Sequence, residues 1–114
     1  MAKKGLPKWH ELQKLLYSND KKGSPELLSA LGKQAIQEGA LQDAFECFRI
    51  AQNTAGMDKL KAIALEEGDS FLLMSVEKVK GPFNNDLWNQ VGSKAFELGK
   101  FRFAKFAFEK TKNE

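Results

Sequence analysis

The feature that most constrains the fold of this chain is an internal repeat. Residues 28–53 return without a gap as residues 88–113, at an offset of sixty positions. The strongest matches are small residues, one aromatic residue and a closing asparagine: Gly32 with Gly92, Ala35 with Ala95, Gly39 with Gly99, Ala44 with Ala104, Phe48 with Phe108, and Asn53 with Asn113. Self-similarity at a fixed spacing is typical of folds that stack one supersecondary unit on the next. We therefore expect a repeat architecture.

Each copy of the repeat predicts a helical hairpin. In the first copy, apolar residues recur at helical spacing from Pro25 to Glu38, Gly39 interrupts them, and a second amphipathic segment begins at Leu41. A connection this short predicts two antiparallel neighbouring helices. Residues 57–81 contain two further helical segments halfway along the offset, but we find no counterpart there of the glycine and alanine markers. We interpret them as a degenerate copy.

A leading helix is expected before the repeats, because Pro7 suits a first helical position and the apolar residues after it keep helical spacing. No stretch alternates with the period of a strand. The prediction is a single all-α domain over 1–114, a right-handed α-solenoid of about seven antiparallel helices. Its parts are a flexible tail at 1–6, a leading helix at 7–19, repeats at 25–55 and 84–112, and the degenerate repeat at 57–81.

Composition narrows the class of protein. Hydrophobic residues make up 42% and charged residues 29% of the chain, as in soluble globular proteins. No run approaches the length of a membrane-spanning helix, so we expect no membrane insertion. The first residues carry lysines without a following apolar region, unlike a signal peptide. Cys47 is the single cysteine, which fits a reducing compartment, and we expect a cytoplasmic protein.

The third hairpin resembles the tetratricopeptide repeat, whose signature is W-x2-L-G-x2-Y followed by A-x3-F. The matching residues are Trp88, Val91, Gly92, Ala95, Ala104 and Phe108 in that hairpin, and Leu28, Leu31, Gly32, Ala35, Ala44 and Phe48 in the first. Alanine replaces the tyrosine of the signature in both copies. The phrases LGKQAIQEGALQDAFECF and GMDKLKAIALEEGD are also similar to helical hairpins of coatomer-type coat solenoids.

This resemblance implies a non-catalytic adaptor that binds protein or peptide partners. In tetratricopeptide arrays the first helix of each pair lines the concave face. On that analogy the partner-binding residues of the concave face are Ser29, Lys33, Gln37, Asn89, Ser93 and Glu97. Their charge is neutral to mixed, and they lack the Lys and Arg cluster that would bind a carboxylate tail.

The last helix differs from its counterpart in a way that suggests a second binding surface. Phe103 and Phe106 replace Asp43 and Glu46 of the first copy. At about 100° per residue, Phe101, Ala104 and Phe108 share the expected inner stripe, Phe103 lies at its edge and Phe106 lies outside it. We expect this end, with Lys110 in a polar rim, to dock another protein or a second copy in a homodimer. The alternative is that both rings fold back on the leading helix or on a neighbouring loop.

The residues that could take part in catalysis or ligand binding favour no enzyme, cofactor or metal site. His10 is the only histidine and has no partner at a metal-ligand spacing. Cys47 is expected to behave as a small buried hydrophobe, and no glycine-rich phosphate motif is present. Two rival hypotheses stay open. One is an enzyme built around Cys47. The other is a nucleic-acid-associated protein, less favoured because the net charge is only +3 and the basic residues are dispersed. That protein would use Lys3, Lys4, Lys8, Lys21, Lys22 and the basic last helix.

Overall fold

A computed structural model describes residues 25–111, and within this range all regular secondary structure is helical, which confirms the all-α prediction there. The six helices of this range are α1 (Pro25–Gln37), α2 (Leu41–Ala51), α3 (Thr54–Glu67), α4 (Ser70–Lys80), α5 (Asn85–Glu97) and α6 (Phe101–Thr111). The expected tail, the leading helix and His10 lie outside the described residues. Over residues 25–111, no helix combines the length and the apolar character needed to cross a membrane.

The turn inside each hairpin is the same in all three copies. Gly39, Gly68 and Gly99 have φ of 77°, 67° and 78°, the left-handed conformation that ends many helices. The residue after each glycine donates its N–H to the carbonyl of an alanine five positions earlier. These bonds are Ala40 to Ala35 at 2.8 Å, Asp69 to Ala64 at 2.9 Å, and Lys100 to Ala95 at 2.8 Å. The middle copy therefore has the alanine and glycine of the turn, contrary to the prediction, whereas Lys61 and Leu73 stand where the first copy has Gly32 and Ala44.

The turn markers of the middle copy do not stand out in the sequence, because the copies are unevenly spaced. Segments AIQEG, ALEEG and AFELG begin at Ala35, Ala64 and Ala95, which are 29 and then 31 residues apart. The middle helix also begins earlier than expected. The sequence favours a start at Met57, whereas α3 starts at Thr54, because the Asn53 side chain accepts the Gly56 N–H at 2.9 Å and caps the helix.

The chain divides into two compact units, Met1–Gly56 and Met57–Glu114. In the first unit, α1 and α2 pack around Phe48, whose ring lies between two glycines. A Cβ built on Gly32 would lie 2.6 Å from this ring, and one on Gly56 would lie 2.5 Å from it. Leu28 and Cys47 complete the buried centre. The two glycines therefore allow the backbone to pack directly against the Phe48 ring.

In the second unit, contacts between α3–α4 and α5–α6 recur at a constant separation of 33 residues. Lys100 Nζ donates to the Glu67 carbonyl at 2.7 Å, Ser70 Oγ donates to the Phe103 carbonyl at 2.7 Å, and Lys110 Nζ bonds Glu77 Oε1 at 3.2 Å. The core between these helices consists of buried side chains: Leu60, Ala64, Leu72, Leu73, Val76, Trp88, Val91, Ala95, Ala104 and Ala107. One hairpin thus stacks on the next in register.

The two substituted phenylalanines of α6 take part in this stacking. Phe103 and Phe106 both contact Phe71 of α4, with ring centroids 5.0 and 4.8 Å apart, and Phe106 also lies 6.3 Å from the Trp88 ring. Their side chains are half-buried. They fold back as the alternative hypothesis proposes, although the partner is α4 rather than the leading helix or a loop.

Candidate functional site

The last hairpin leaves a set of large apolar side chains in solvent, which we name the aromatic face. Its members are Phe96 and Phe101, each 62% exposed, Leu98 at 48% and Phe108 at 37%. Phe96 and Phe101 contact each other edge to face, with ring centroids 5.4 Å apart. The face thus combines the end of α5, the turn and one side of α6.

Helical geometry explains why this side of α6 is open. Ala104 and Ala107 are the buried residues of α6. Phe103 and Phe106 contact α4, and at about 100° per residue Phe101 and Phe108 lie on the opposite side of the helix. The expected inner stripe of Phe101, Ala104 and Phe108 is therefore wrong for Phe101, which is 62% exposed, while Phe108 contacts Gly92 of α5 and is 37% exposed. The helix has aromatic residues on two sides, so its sequence pattern alone does not identify which side is covered.

The equivalent ring of the first hairpin shows what a covered version looks like. Phe108 contacts Gly92 as Phe48 contacts Gly32, since a Cβ on either glycine would lie 2.6 Å from the ring. On its other side Phe48 meets Gly56 and is only 1% exposed, whereas Phe108 has no such neighbour in the described chain. The same hairpin contact therefore exists twice, once covered and once open.

Comparison of the two copies at the sequence level could have found this face. At the offset of sixty, Leu98 replaces Glu38, and Phe96 and Phe101 replace the smaller Ile36 and Leu41. We expected the functional difference at 103 and 106 because charged residues give way to aromatic ones there. The apolar surface gained at the turn is a weaker sequence signal of the same kind, because two of the three replaced residues are already apolar.

A groove between α3 and α5 contains part of the predicted concave-face set. It encloses about 550 Å³ and is lined by Ala62, Leu65, Glu66, Gln90, Ser93, Lys94 and Glu97. Ser93 and Glu97 are therefore brought together, and Asn89 is exposed on the same helix. Glu97 lies 3.7 Å from Lys94 in an exposed ion pair. The groove has both acidic and basic side chains in its lining.

The predicted residues of the first repeat have separate environments. Ser29 accepts a hydrogen bond from Asn53 Nδ2 at 3.0 Å, which ties α1 to the start of α3. Lys33 and Gln37 are exposed on α1. They belong to the other compact unit, Met1–Gly56. Ser29 has a structural contact that a partner would have to replace.

Lys110 was expected in a polar rim and instead belongs to a charged contact between hairpins. Its Nζ lies 3.2 Å from Glu77 Oε1 and 5.0 Å from the centre of the Trp88 ring. Burial by itself raises the pKa of Glu77. The Phe83 N–H, the Lys110 ammonium and the Trp88 side chain together outweigh that effect and lower this pKa below its ordinary value. Glu77 is therefore a structural carboxylate.

Cys47 lies in an environment that suppresses nucleophilic chemistry. The side chain is 1% exposed, and burial, followed by the charges of Asp43 and Glu46, raises its pKa to about 11. A thiol of this kind stays protonated at neutral pH and reacts slowly. Between residues 25 and 111, no group of three or more His, Cys, Asp or Glu side chains could hold a metal ion.

Several basic residues of the described range have acidic neighbours. Ion pairs join Arg49 to Glu46, Lys80 to Asp58, Lys94 to Glu97 and Lys110 to Glu77. The five N-terminal lysines of the nucleic-acid hypothesis lie outside the described residues. No described feature adds weight to that hypothesis.

Comparisons with protein-family models, with curated proteins and with solved structures find no match to this chain. The similarity to tetratricopeptide repeats therefore rests on the sequence signature together with the three helical hairpins. Function has to be inferred from the surfaces themselves.

Proposed function

We propose that this chain is a non-catalytic, helical-repeat interaction module that docks a protein partner on the aromatic face of its last hairpin. The observation that carries the proposal is the pair of equivalent rings, of which Phe48 is covered by a neighbouring helix and Phe108 is open. The last hairpin exposes a ring whose equivalent in the first hairpin is buried under a helix, and this supports docking of a partner there. The groove between α3 and α5 is a second surface for a peptide.

The size of the face indicates what kind of complex to expect. With about 200 Å² for a fully exposed phenylalanine, the four exposed side chains present on the order of 400 Å² of apolar surface. At about 25 cal/mol per Å², covering it contributes roughly 10 kcal/mol before the costs of association, which are of similar size. A moderate affinity follows, which suits a reversible adaptor.

A second copy of this chain fits the face less well than a different protein does. Area alone does not separate the two, because either partner on this face would bury about 800 Å² in all, below the about 1,200 Å² of stable interfaces. Lys105 is exposed about 40° from Phe101 on the helical wheel, so a two-fold arrangement of the faces would bring two like charges close together. We therefore favour a heterologous partner.

Affinity capture from the source cells tests the proposal with three baits. The first is the native chain, the second carries Phe96→Ser and Phe101→Ser, and the third carries Leu27→Ser and Val79→Ser. The third is a matched control because Leu27 and Val79 are exposed apolar residues outside the face. We expect a protein that the native and control baits retain and that the face variant loses at least about tenfold. Equal recovery by all three baits would refute docking on this face.

A further inference from the structure

The first hairpin contains a template for what can cover the aromatic face. There, the first turn of α3 lies over Phe48, and Gly56 allows this because its missing side chain leaves room for the ring. A Cβ at that position would lie 2.5 Å from Cγ and Cδ1 of the ring, closer than real carbon contacts. Only a residue without a side chain permits this approach.

A second contact of the template is polar. Asn53 caps α3 by accepting the Gly56 N–H at 2.9 Å, and its Nδ2 donates to Ser29 Oγ at 3.0 Å. One asparagine therefore both starts the covering helix and binds it to the first helix of the hairpin. Gly56, which contacts the ring, and Asn53, which bonds the serine, are three residues apart. Both contacts therefore come from a single helical turn.

Among residues 25–111, the last hairpin presents both anchor points of this template and no helix covers them. Phe108 lies over Gly92 in place of Phe48 over Gly32, and Asn89 stands where Ser29 stands. Asn89 is exposed and offers an amide that can accept or donate a hydrogen bond. The spacing of Asn89 from Gly92 equals that of Ser29 from Gly32, so the anchor points have the same local separation.

One difference between the hairpins defines the charge of the occupant. Lys105 replaces Phe45, and Arg102 replaces Gln42. Both basic side chains are exposed beside the aromatic face. Glu109 replaces Arg49 and is exposed next to Phe108, so the occupant's first turn lies near this carboxylate, while the residues that follow approach Lys105 and then Arg102. Acidic side chains after the first turn of the occupant would complement the two basic residues.

Resting on the proposed function, we infer that the aromatic face takes the first turn of an α-helix from another protein, one that begins Asn-x-x-Gly or an equivalent cap and carries acidic side chains. The glycine lies on the outer side of the Phe108 ring, the capping side chain bonds Asn89, and the apolar residues that follow contact Phe96 and Phe101. A second copy of this chain does not supply such a turn, because its own Gly56 already covers Phe48.

The probe for this inference is a peptide of residues 53–67, which contains the template turn and an acidic residue at Asp58. Titrating it into the isotope-labelled 114-residue protein should shift the amide resonances of Asn89, Gly92 and Phe108. The matched control peptide has leucine in place of Gly56. It should bind about tenfold or more weakly, although leucine makes it the better helix former. Loss of binding then reflects the ring contact rather than loss of helix.

Two protein variants complete the experiment. Phe108→Ala should abolish the shifts, and Asn89→Ala should weaken binding by about fivefold, the loss of one hydrogen bond. Equal binding of the glycine and leucine peptides, absence of binding, or shifts confined to residues 25–56 would each overturn the inference. Concentration-dependent shifts of the same amides without peptide would make a second copy the occupant and also overturn it. Any of these results leaves the capture experiment to decide the proposed function separately.

Discussion

The same substitution in two hairpins, Gly32→Ala and Gly92→Ala, should have different consequences for stability. In both cases the new methyl group lies 2.6 Å from a phenylalanine ring, so ring or backbone has to move. In both cases alanine also improves helix propensity by about 1 kcal/mol. The two changes differ only in what lies on the far side of the ring.

The magnitudes follow from the freedom of each ring. Phe48 is held between Gly32 and Gly56, and overpacking a confined site costs about 1–3 kcal/mol. After the gain in propensity, Gly32→Ala should lower the free energy of unfolding by about 0–2 kcal/mol. Phe108 is 37% exposed and can rotate towards solvent, so Gly92→Ala should be neutral or stabilising by up to about 1 kcal/mol. The expected difference between the variants is up to about 3 kcal/mol.

Hydrogen exchange of the α1–α2 and α5–α6 amides is the appropriate measurement, since each compact unit must be followed separately. Urea unfolding monitored by circular dichroism provides the overall free energy. Equal destabilisation by the two variants would refute the reasoning, because it would mean that the Phe108 ring is as confined as Phe48. A larger loss for Gly92→Ala would do so more strongly.

Three further predictions concern the turns, the thiol and the carboxylate. Gly68→Ala should destabilise the fold far more than Gly39→Ala, by thermal melting, because both have positive φ but only the Gly68 methyl would collide with the Ala95 backbone, at 2.6 Å. Cys47 should resist alkylation at pH 8 in the folded protein and react within minutes in urea, and fast reaction of the folded protein would contradict its burial. Since the pKa of Glu77 is lowered on folding, its contribution to stability is present above its unfolded pKa and lost as pH falls through the lower folded value. Glu77→Gln should therefore destabilise the protein at pH 7, and the difference should shrink below about pH 4 in urea melts.

Much of the local structure could be predicted from the sequence, because its causes are local. Apolar residues at helical spacing predict each helix, and glycines at 39, 68 and 99 adopt the conformation that ends it. The middle copy was misjudged for a reason that is also local. A repeat of about thirty residues predicts evenly spaced copies, whereas the turn segments lie 29 and 31 residues apart, so those of the middle copy are displaced by one position from an even period.

The exposed surface could not be predicted in the same way, because burial depends on neighbours far along the chain. Helical periodicity states which residues share a side of α6 but not which side meets another helix. Phe101, Phe103, Phe106 and Phe108 occur on both sides of Ala104 and satisfy either choice. Contact with Phe71 of α4 determines which side of α6 is covered. Because it is a contact between hairpins, it leaves no pattern within α6 itself.

The two choices predict opposite outcomes for one pair of variants. Copying the first repeat, Phe103→Asp with Phe106→Glu, leaves the protein folded if these rings face solvent, as the sequence interpretation has it. In the structure both rings contact Phe71, so the change removes aromatic contacts worth about 0.5–1.5 kcal/mol each and places two carboxylates against apolar neighbours. We expect unfolding or a loss above about 3 kcal/mol. Phe96→Asp with Phe101→Glu, at 62% exposure, should change stability by no more than about 1 kcal/mol. Thermal melts of the two double variants distinguish the choices, and if Phe96 and Phe101 prove the costly pair, the covered and open sides of α6 are reversed.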